Sequence, residues 1–244
     1  MLGKLKIKYI QSLGQKKLRD EEGLFIAEGP KILQELLTSA KKNIVAVYGI
    51  EEWIQANEAT IGNIETVIVT DDELAKISQL STPNKALAII KKFDNSATPD
   101  LKGKVSLALD TIQDPGNLGT IIRIADWFGV TNIICSTDCA DIYNSKVVQA
   151  TMGSIARVNV QYVDLAAWLA SKKDIRIYAT ALEGQDVATM KKLEEGIIVF
   201  GNESKGISEE VLQLVNVKIT IPKKGNAESL NAAVAAGIVL AVLS

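Results

Sequence analysis

Val105-Ser-Leu-Ala-Leu109-Asp110-Thr-Ile-Gln-Asp114-Pro115-Gly-Asn117-Leu-Gly-Thr-Ile-Ile-Arg123-Ile-Ala-Asp-Trp-Phe-Gly129 decides how the chain folds. Val105–Leu109 is a short apolar run, Asp-Pro-Gly-Asn is turn chemistry, and Asn117–Gly129 carries apolar residues at helical spacing before a glycine stop. A further apolar run at Asn132–Cys135 follows at once. Strand, turn, helix and strand in this order form the repeating unit of a parallel sheet covered by helices.

Downstream the pattern continues with a helical patch at Ser145–Met152, a strand at Ala156–Gln161, a helix at Leu165–Ser171 and strands at Ile175–Ala179, Gly196–Phe200 and Val217–Ile221. A helix over Ser229–Leu243, apolar nearly all round, closes it, and its composition predicts burial in the core or against another subunit. Upstream, strands are predicted near Leu24–Ala27, Ile44–Val47, Thr66–Val69 and Ala86–Ile90, with helices at Pro30–Ser39, Glu51–Ala56 and Asp71–Gln79 between them. The polar, aperiodic stretch before Gly103, which holds Pro99, separates the two parts. The fold class is α/β, with one domain over residues 1–95, a linker at 96–103 and a second domain over 104–244.

The 244 residues include no histidine, which removes the commonest general base, the commonest metal ligand and every Ser-His or Cys-His nucleophile. Cys135 and Cys139 are too few and too isolated for a disulfide framework or a zinc site, so they read as small core residues and no metal is expected. No run reaches the ~18 apolar residues of a spanning helix, so a cytoplasmic protein without membrane contact is expected. Net charge is only −2, but Lys4, Lys6, Lys8, Lys16, Lys17 and Arg19 precede the first acid. On charge alone this arm reads as a solvated, partly disordered lead-in, although a local basic arm can neutralise phosphates whatever the total.

Three loops carry candidate chemistry. The first, Asp110–Gly119, is explained as a strand-to-helix connection with Asn117 suited to a cap, except for Arg123, a cation among apolar neighbours on the following helix. The second, Gly201-Asn-Glu-Ser-Lys-Gly206, has the glycine spacing of a phosphate loop, but Ile207-Ser208 replaces the Lys-Ser/Thr that would make it one. Glu203 alone reads as a solvated acid. The third runs from Ile221-Pro222 to Ser229-Leu230-Asn231, where Ser229 is a plausible cap and Asn231 is out of place in a first helical turn unless its amide has a partner. No Gly-x-Gly-x-x-Gly dinucleotide fingerprint occurs. Each loop opens at the carboxyl end of a strand, where ligands of parallel sheets collect.

In order and spacing the three loops resemble the signature motifs of the TrmH/SpoU family of RNA 2′-O-ribose methyltransferases, within the SPOUT class. Val147-Val-Gln-Ala-Thr-Met-Gly-Ser154 resembles a helical segment of the same family, and Glu22–Gly29 followed by a helix resembles its ribosomal-protein-like N-terminal substrate-binding domain. The resemblance implies a C-terminal parallel-sheet domain with a deep trefoil knot, an outcome that general topology rules exclude. It implies S-adenosyl-L-methionine as cofactor, with Thr180, Gly201, Ile221 and Leu230 in its pocket, and a homodimer through the C-terminal domain. It makes the basic arm an RNA contact, with ribosomal RNA as substrate. Transfer RNA, or an RNA-binding assembly factor of the same fold without turnover, stands as the alternative.

The resemblance assigns removal of the hydroxyl proton to Arg123, with Asn117, Glu203, Ser229 and Asn231 holding it and shaping the pocket. Arginine keeps its proton so strongly that a second role stands beside the first, a clamp on phosphate that orients the 2′-hydroxyl. Lys223 after the motif-three proline and Asp126-Trp127 before Phe128-Gly129 depart from the family pattern without removing any of these groups.

Overall fold

A computed structural model of the chain describes residues 2–244. The chain divides into two compact units, one of the described residues up to Asp94 with Tyr143–Ala156, the other of Asn95–Ile142 with Arg157–Ser244. Among the described residues no helix is long and apolar enough to cross a membrane.

The first unit opens with α1 (Lys4–Ser12) and α2 (Lys16–Glu22), continues through β1 (Leu24–Glu28), α3 (Pro30–Ser39), β2 (Ile44–Gly49), α4 (Glu51–Ile61), β3 (Glu65–Ile68) and α5 (Asp71–Ile77), and ends with β4 (Ala86–Lys91). Its mixed sheet has the order β1-β4-β2-β3, antiparallel except between β2 and β3. The basic arm is therefore folded, not a disordered lead-in. Ile10 and Leu13 are fully buried in one cluster with Leu74, Ile77 and Leu87, and Ile7 packs against it. The spacing of Ile7, Ile10 and Leu13 gives the arm one apolar side, and burying that side offsets the entropy of ordering it.

α5 starts on a capping box. The Thr70 hydroxyl accepts from the Glu73 amide, and the Glu73 carboxylate accepts from the Thr70 amide, which satisfies two amides that the helix itself cannot. The family-like segment α7 (Ser145–Thr151) packs on β1 within this unit. It ends at Met152 and Gly153 with φ of 51° and 95°, and a Cβ at Gly153 would lie 2.6 Å from Glu35 Cβ. That approach to α3 needs a residue without a side chain. Tyr143 enters the same unit by stacking on Phe25, with ring centroids 4.8 Å apart, and by accepting from the Phe93 amide at 2.9 Å.

The second unit comprises β5 (Val105–Asp110), α6 (Pro115–Trp127), β6 (Asn132–Ser136), β7 (Asn159–Val163), α8 (Leu165–Ala170), β8 (Ile177–Asp186), β9 (Gly196–Gly201), α9 (Glu209–Leu212), β10 (Val217–Thr220) and α10 (Ala232–Leu243). Its six strands, in the order β10-β8-β9-β5-β6-β7, are all parallel. The start of this unit is tied to its sheet, because Gln161 Nε2 donates to the Asn95 and Ala97 carbonyls at 2.5 and 2.6 Å.

α6 buries Leu118, Ile121, Ile122 and Ala125 and turns Thr120, Arg123 and Trp127 outward. Each large side chain so buried contributes roughly 1.5–3 kcal/mol. The strand order reverses between β9 and β5, where Asp110 pairs with Gly201. In a parallel sheet, ligands collect at the carboxyl edge beside such a switch point.

Candidate active site

The first loop is built around Asp114, not Asn117. Asp114 caps α6, accepting from the Asn117 amide at 2.8 Å, and Pro115 takes the first helical position, where a missing N–H costs nothing. The Asn117 side chain is thereby free for other partners. The third loop shows the same displacement of the cap. α10 begins at Ala232, and Asn231, not Ser229, is its cap, accepting from Ala233 N at 3.0 Å and Val234 N at 3.2 Å.

The amides of these two residues meet. Asn231 Nδ2 donates to Asn117 Oδ1 at 2.8 Å, and Asn117 Nδ2 donates to Glu203 Oε1. One hydrogen-bonded chain therefore joins all three loops through three of the five residues expected to carry the chemistry. Because its oxygen accepts and its nitrogen donates, the Asn117 amide has one orientation.

Arg123 stands exposed two turns along α6, and among the described residues nothing fixes its guanidinium. Ser229 is exposed too. The structure does not bring these two residues into the hydrogen-bonded chain.

The second loop is a tight return. Asn202 and Gly206 form a bridge, and a Cβ at Gly201 would lie 2.4–2.5 Å from the Gly206 and Ile207 backbone. Glycine is required there by space. Asn202, which the sequence reading did not single out, holds the loop: Oδ1 accepts from Ser204 N and Lys205 N at 2.9 and 3.1 Å, and Nδ2 donates to the Thr111 carbonyl at 3.0 Å. Asp110 is buried, with Oδ2 accepting from Ser208 N at 2.7 Å. A carboxylate closing an apolar strand was the signal available in the sequence, since such a group, once buried, must find donors.

Of the expected cofactor residues, Thr180 spends its hydroxyl on the Val199 carbonyl at 3.1 Å, Ile221 is half-buried and Leu230 is 47% exposed. Ile221 and Leu230 are apolar side chains of the kind that line a small-molecule pocket, while the space beside Gly201 is filled by the Gly206 and Ile207 backbone. Beneath the first loop, the Cys135 thiol, then the Ser136 hydroxyl and the Ile112 amide, bring the Cys139 thiol down to about 7 against the desolvation of burial.

In the first unit Lys4, Lys6, Lys8, Lys16 and Lys17 are exposed, with Lys6 Nζ 5.9–6.0 Å from the rings of Tyr48 and Tyr9. Arg19 departs from its expected RNA-facing role. It is 3% exposed, and its NH1 donates to the Leu13 and Gly14 carbonyls at 3.1 and 2.7 Å, tying together the turn between α1 and α2.

One unit is a parallel sheet with a polar chain across its switch point, the other a mixed sheet. Residues 104–241 match the SpoU rRNA Methylase family and residues 4–88 match the MRM3-like substrate binding domain. The chain belongs to the SpoU rRNA methylase family.

It is 28% identical to the Bacillus subtilis 23S rRNA (guanosine(2553)-2′-O)-methyltransferase RlmP, across 96% of this chain and 94% of that protein. A TrmH-family structure from Porphyromonas gingivalis superimposes with a TM-score of 0.85 at 34% identity, covering 99% of this chain and 97% of the other. An AdoMet-bound rRNA methyltransferase from Sinorhizobium meliloti does so with a TM-score of 0.84 at 30% identity, covering 98% and 94%.

Proposed function

We propose that the chain transfers a methyl group from S-adenosyl-L-methionine to a ribose 2′-hydroxyl of ribosomal RNA. The observation that carries this reading is the Asn231–Asn117–Glu203 chain at the switch point of the parallel sheet. RlmP names the same reaction on 23S rRNA, and the S. meliloti relative holds the cofactor. When bound, the cofactor would supply a methyl group activated by a positively charged sulfonium sulfur, with a neutral thioether as the leaving group.

Gly201, Ile221 and Leu230 are assigned to binding it, with Thr180 acting through its backbone because its hydroxyl is already engaged. Asn117, clamped on both sides, fixes the floor of the site at no cost in side-chain entropy during the reaction. Glu203 accepts from Asn117 through one oxygen and offers the other to a cation or a ribose hydroxyl. Arg123 closes on the RNA, its planar fork suited to phosphate, and from there it orients the 2′-hydroxyl or takes its proton. Ser229 and Asn231 line the third loop.

Several features fall within the same proposal. The loops 201–208 and 221–231 belong to a trefoil knot, as the family resemblance implies. Two copies pair through α6 and α10, a reading supported by Trp127, Val234 and Ile238, which are 84, 51 and 36% exposed. Lys4, Lys6, Lys8, Lys16 and Lys17 grip RNA phosphates, and the reaction takes place in the cytoplasm.

The test is incorporation of label from methyl-labelled S-adenosylmethionine into ribosomal RNA by the full chain, followed by alkaline hydrolysis. A 2′-O-methyl group blocks cleavage at its own nucleotide, so label in alkali-resistant dinucleotides is expected. Label on a base, or acceptance by transfer RNA alone, overturns the assignment.

A further inference from the structure

Thr111, the residue after β5, has φ of 59°. A β-branched side chain in the left-handed region is strained, and such strain persists only where neighbours over-determine it. Here they do. Thr111 N donates to Ser136 Oγ at 2.9 Å, and the Thr111 carbonyl accepts from Asn202 Nδ2 at 3.0 Å. One residue on, Ile112 N donates to Cys139 Sγ at 3.2 Å, and the Ile112 carbonyl accepts from Ala140 N at 2.9 Å.

The Cys139 thiol in turn donates to the Leu109 carbonyl at 3.3 Å and lies 3.6 Å from Ser136 Oγ. A single side chain thus accepts from one flank of the strained residue and donates to the other, with Ser136 beside it. Neither Cys139 nor Ser136 belongs to the three signature loops. Both lie at the end of β6 and the turn after it, behind the loop that leads to Asn117.

We propose that Cys139 and Ser136 are positioning residues for methyl transfer: they hold Thr111 in its left-handed turn, which sets the exit of the first loop toward Asn117 and presents the carbonyl that anchors Asn202 of the second. The inference rests on the methyltransferase reading of the site. Sulfur suits the post, because its long hydrogen bonds span Leu109 O and Ile112 N from within a buried pocket, and a thiol both donates and accepts. If the turn relaxes, two of the three loops lose their common support, while nothing that would touch RNA directly is removed.

The experiment compares Cys139→Ala, Cys139→Ser, Ser136→Ala and Thr111→Gly with Cys139→Ala/Thr111→Gly. It reads S-adenosylhomocysteine affinity by calorimetry, kcat and KM for ribosomal RNA, Tm, and amide exchange at Ile112. Cys139→Ala is expected to weaken S-adenosylhomocysteine binding and lower kcat by about tenfold each with KM for RNA unchanged, as small misplacements of a site do. Cys139→Ser, which keeps a donor and an acceptor on a shorter side chain, recovers part of the loss. Thr111→Gly relieves the strain, so adding it to Cys139→Ala restores kcat to that of Thr111→Gly alone.

Wild-type kcat and affinity in both Cys139→Ala and Ser136→Ala overturn the proposal, as does a loss that tracks Tm and is not rescued by glycine. Wild-type protein that binds no S-adenosylhomocysteine sinks the functional reading instead. Unchanged Ile112 exchange in Cys139→Ala then sinks the clamp independently.

Discussion

Asn231 Nδ2 donates to Asn117 Oδ1 at 2.8 Å across 114 positions of sequence, while Asn231 Oδ1 caps α10. One side chain serves both stability and the site, and the two duties separate by substitution. Asn231→Asp keeps the acceptor that caps the helix but cannot donate to Asn117. Its Tm is expected to stay within about a degree or two, with methylation falling about a hundredfold. Asn231→Ala loses both, and costs about 1 kcal/mol of stability in addition. Equal Tm losses in the two variants, measured by calorimetry, would show that the cap is made elsewhere.

Arg123 is exposed and unheld in the described residues, so truncating it costs stability within about 0.5 kcal/mol. Its two candidate roles part at Arg123→Lys. Lysine gives up a proton more readily than arginine but lacks the fork. A clamp predicts that Arg123→Lys loses about as much kcat as Arg123→Ala, with a flat pH profile. A base predicts that Arg123→Lys stays active and that its rate rises toward the lysine range. A pH–rate series on ribosomal RNA decides between them.

What could be read from the sequence follows range. Strands, the parallel class and the three loops were legible because period and turn chemistry act within a few residues, and because parallel strands send their loops to one edge. The folding of α1 and α2 was not. Lys4, Lys6 and Lys8 alternate with apolar residues, and only the distant Leu74, Ile77 and Leu87 make a helical face worthwhile. The caps slipped by two or three residues, at Asp114 for Asn117 and at Asn231 for Ser229, because all of these residue types can cap a helix. The supports at Asn202, Ser136 and Cys139 are chosen by contacts that span dozens of positions, and no local pattern marks them.

The basic arm divides by burial. Lys4→Ala, Lys8→Ala and Lys16→Ala combined are expected to weaken RNA binding and to reduce the slope of log affinity against log salt by about 0.7–0.9 per lysine removed. Tm should not move, since all three are exposed. Arg19→Ala is expected to do the reverse, because removing a buried guanidinium strands the Leu13 and Gly14 carbonyls at a cost of about 1–3 kcal/mol. An unaltered Tm in Arg19→Ala would return that residue to the RNA face.

Glu28 is 4% exposed, and burial raises its carboxyl above the usual 4.5 although Ser78 Oγ and Gln79 N both donate to it. A raised folded pKa means the folded chain binds the proton more tightly than the unfolded one. The associated stability is complete below the unfolded value and is lost as pH rises through the folded one. Thermal unfolding from pH 4.5 upward should show a decline in wild type that Glu28→Gln lacks. Parallel curves for the two proteins would rule the linkage out.

α10 buries Ala233, Ala236, Val239, Leu240 and Leu243, yet it leaves Val234 and Ile238 in solvent one turn apart, and α6, against which it packs, leaves Trp127 84% exposed. Apolar exposure on two packed helices marks an association surface when it is continuous. If a second copy covers it, Ile238→Glu places a charge in an interface and should halve the mass seen by sedimentation, with Tm at low protein concentration unchanged. Trp127→Ala should weaken the dimer at least tenfold, because exposed tryptophans that become buried dominate interface energies. The active unit in the proposed reaction is then the pair, so monomeric Ile238→Glu should lose methylation in proportion to its loss of dimer. Full methylation by a protein that sediments as a monomer would confine the reaction to a single chain.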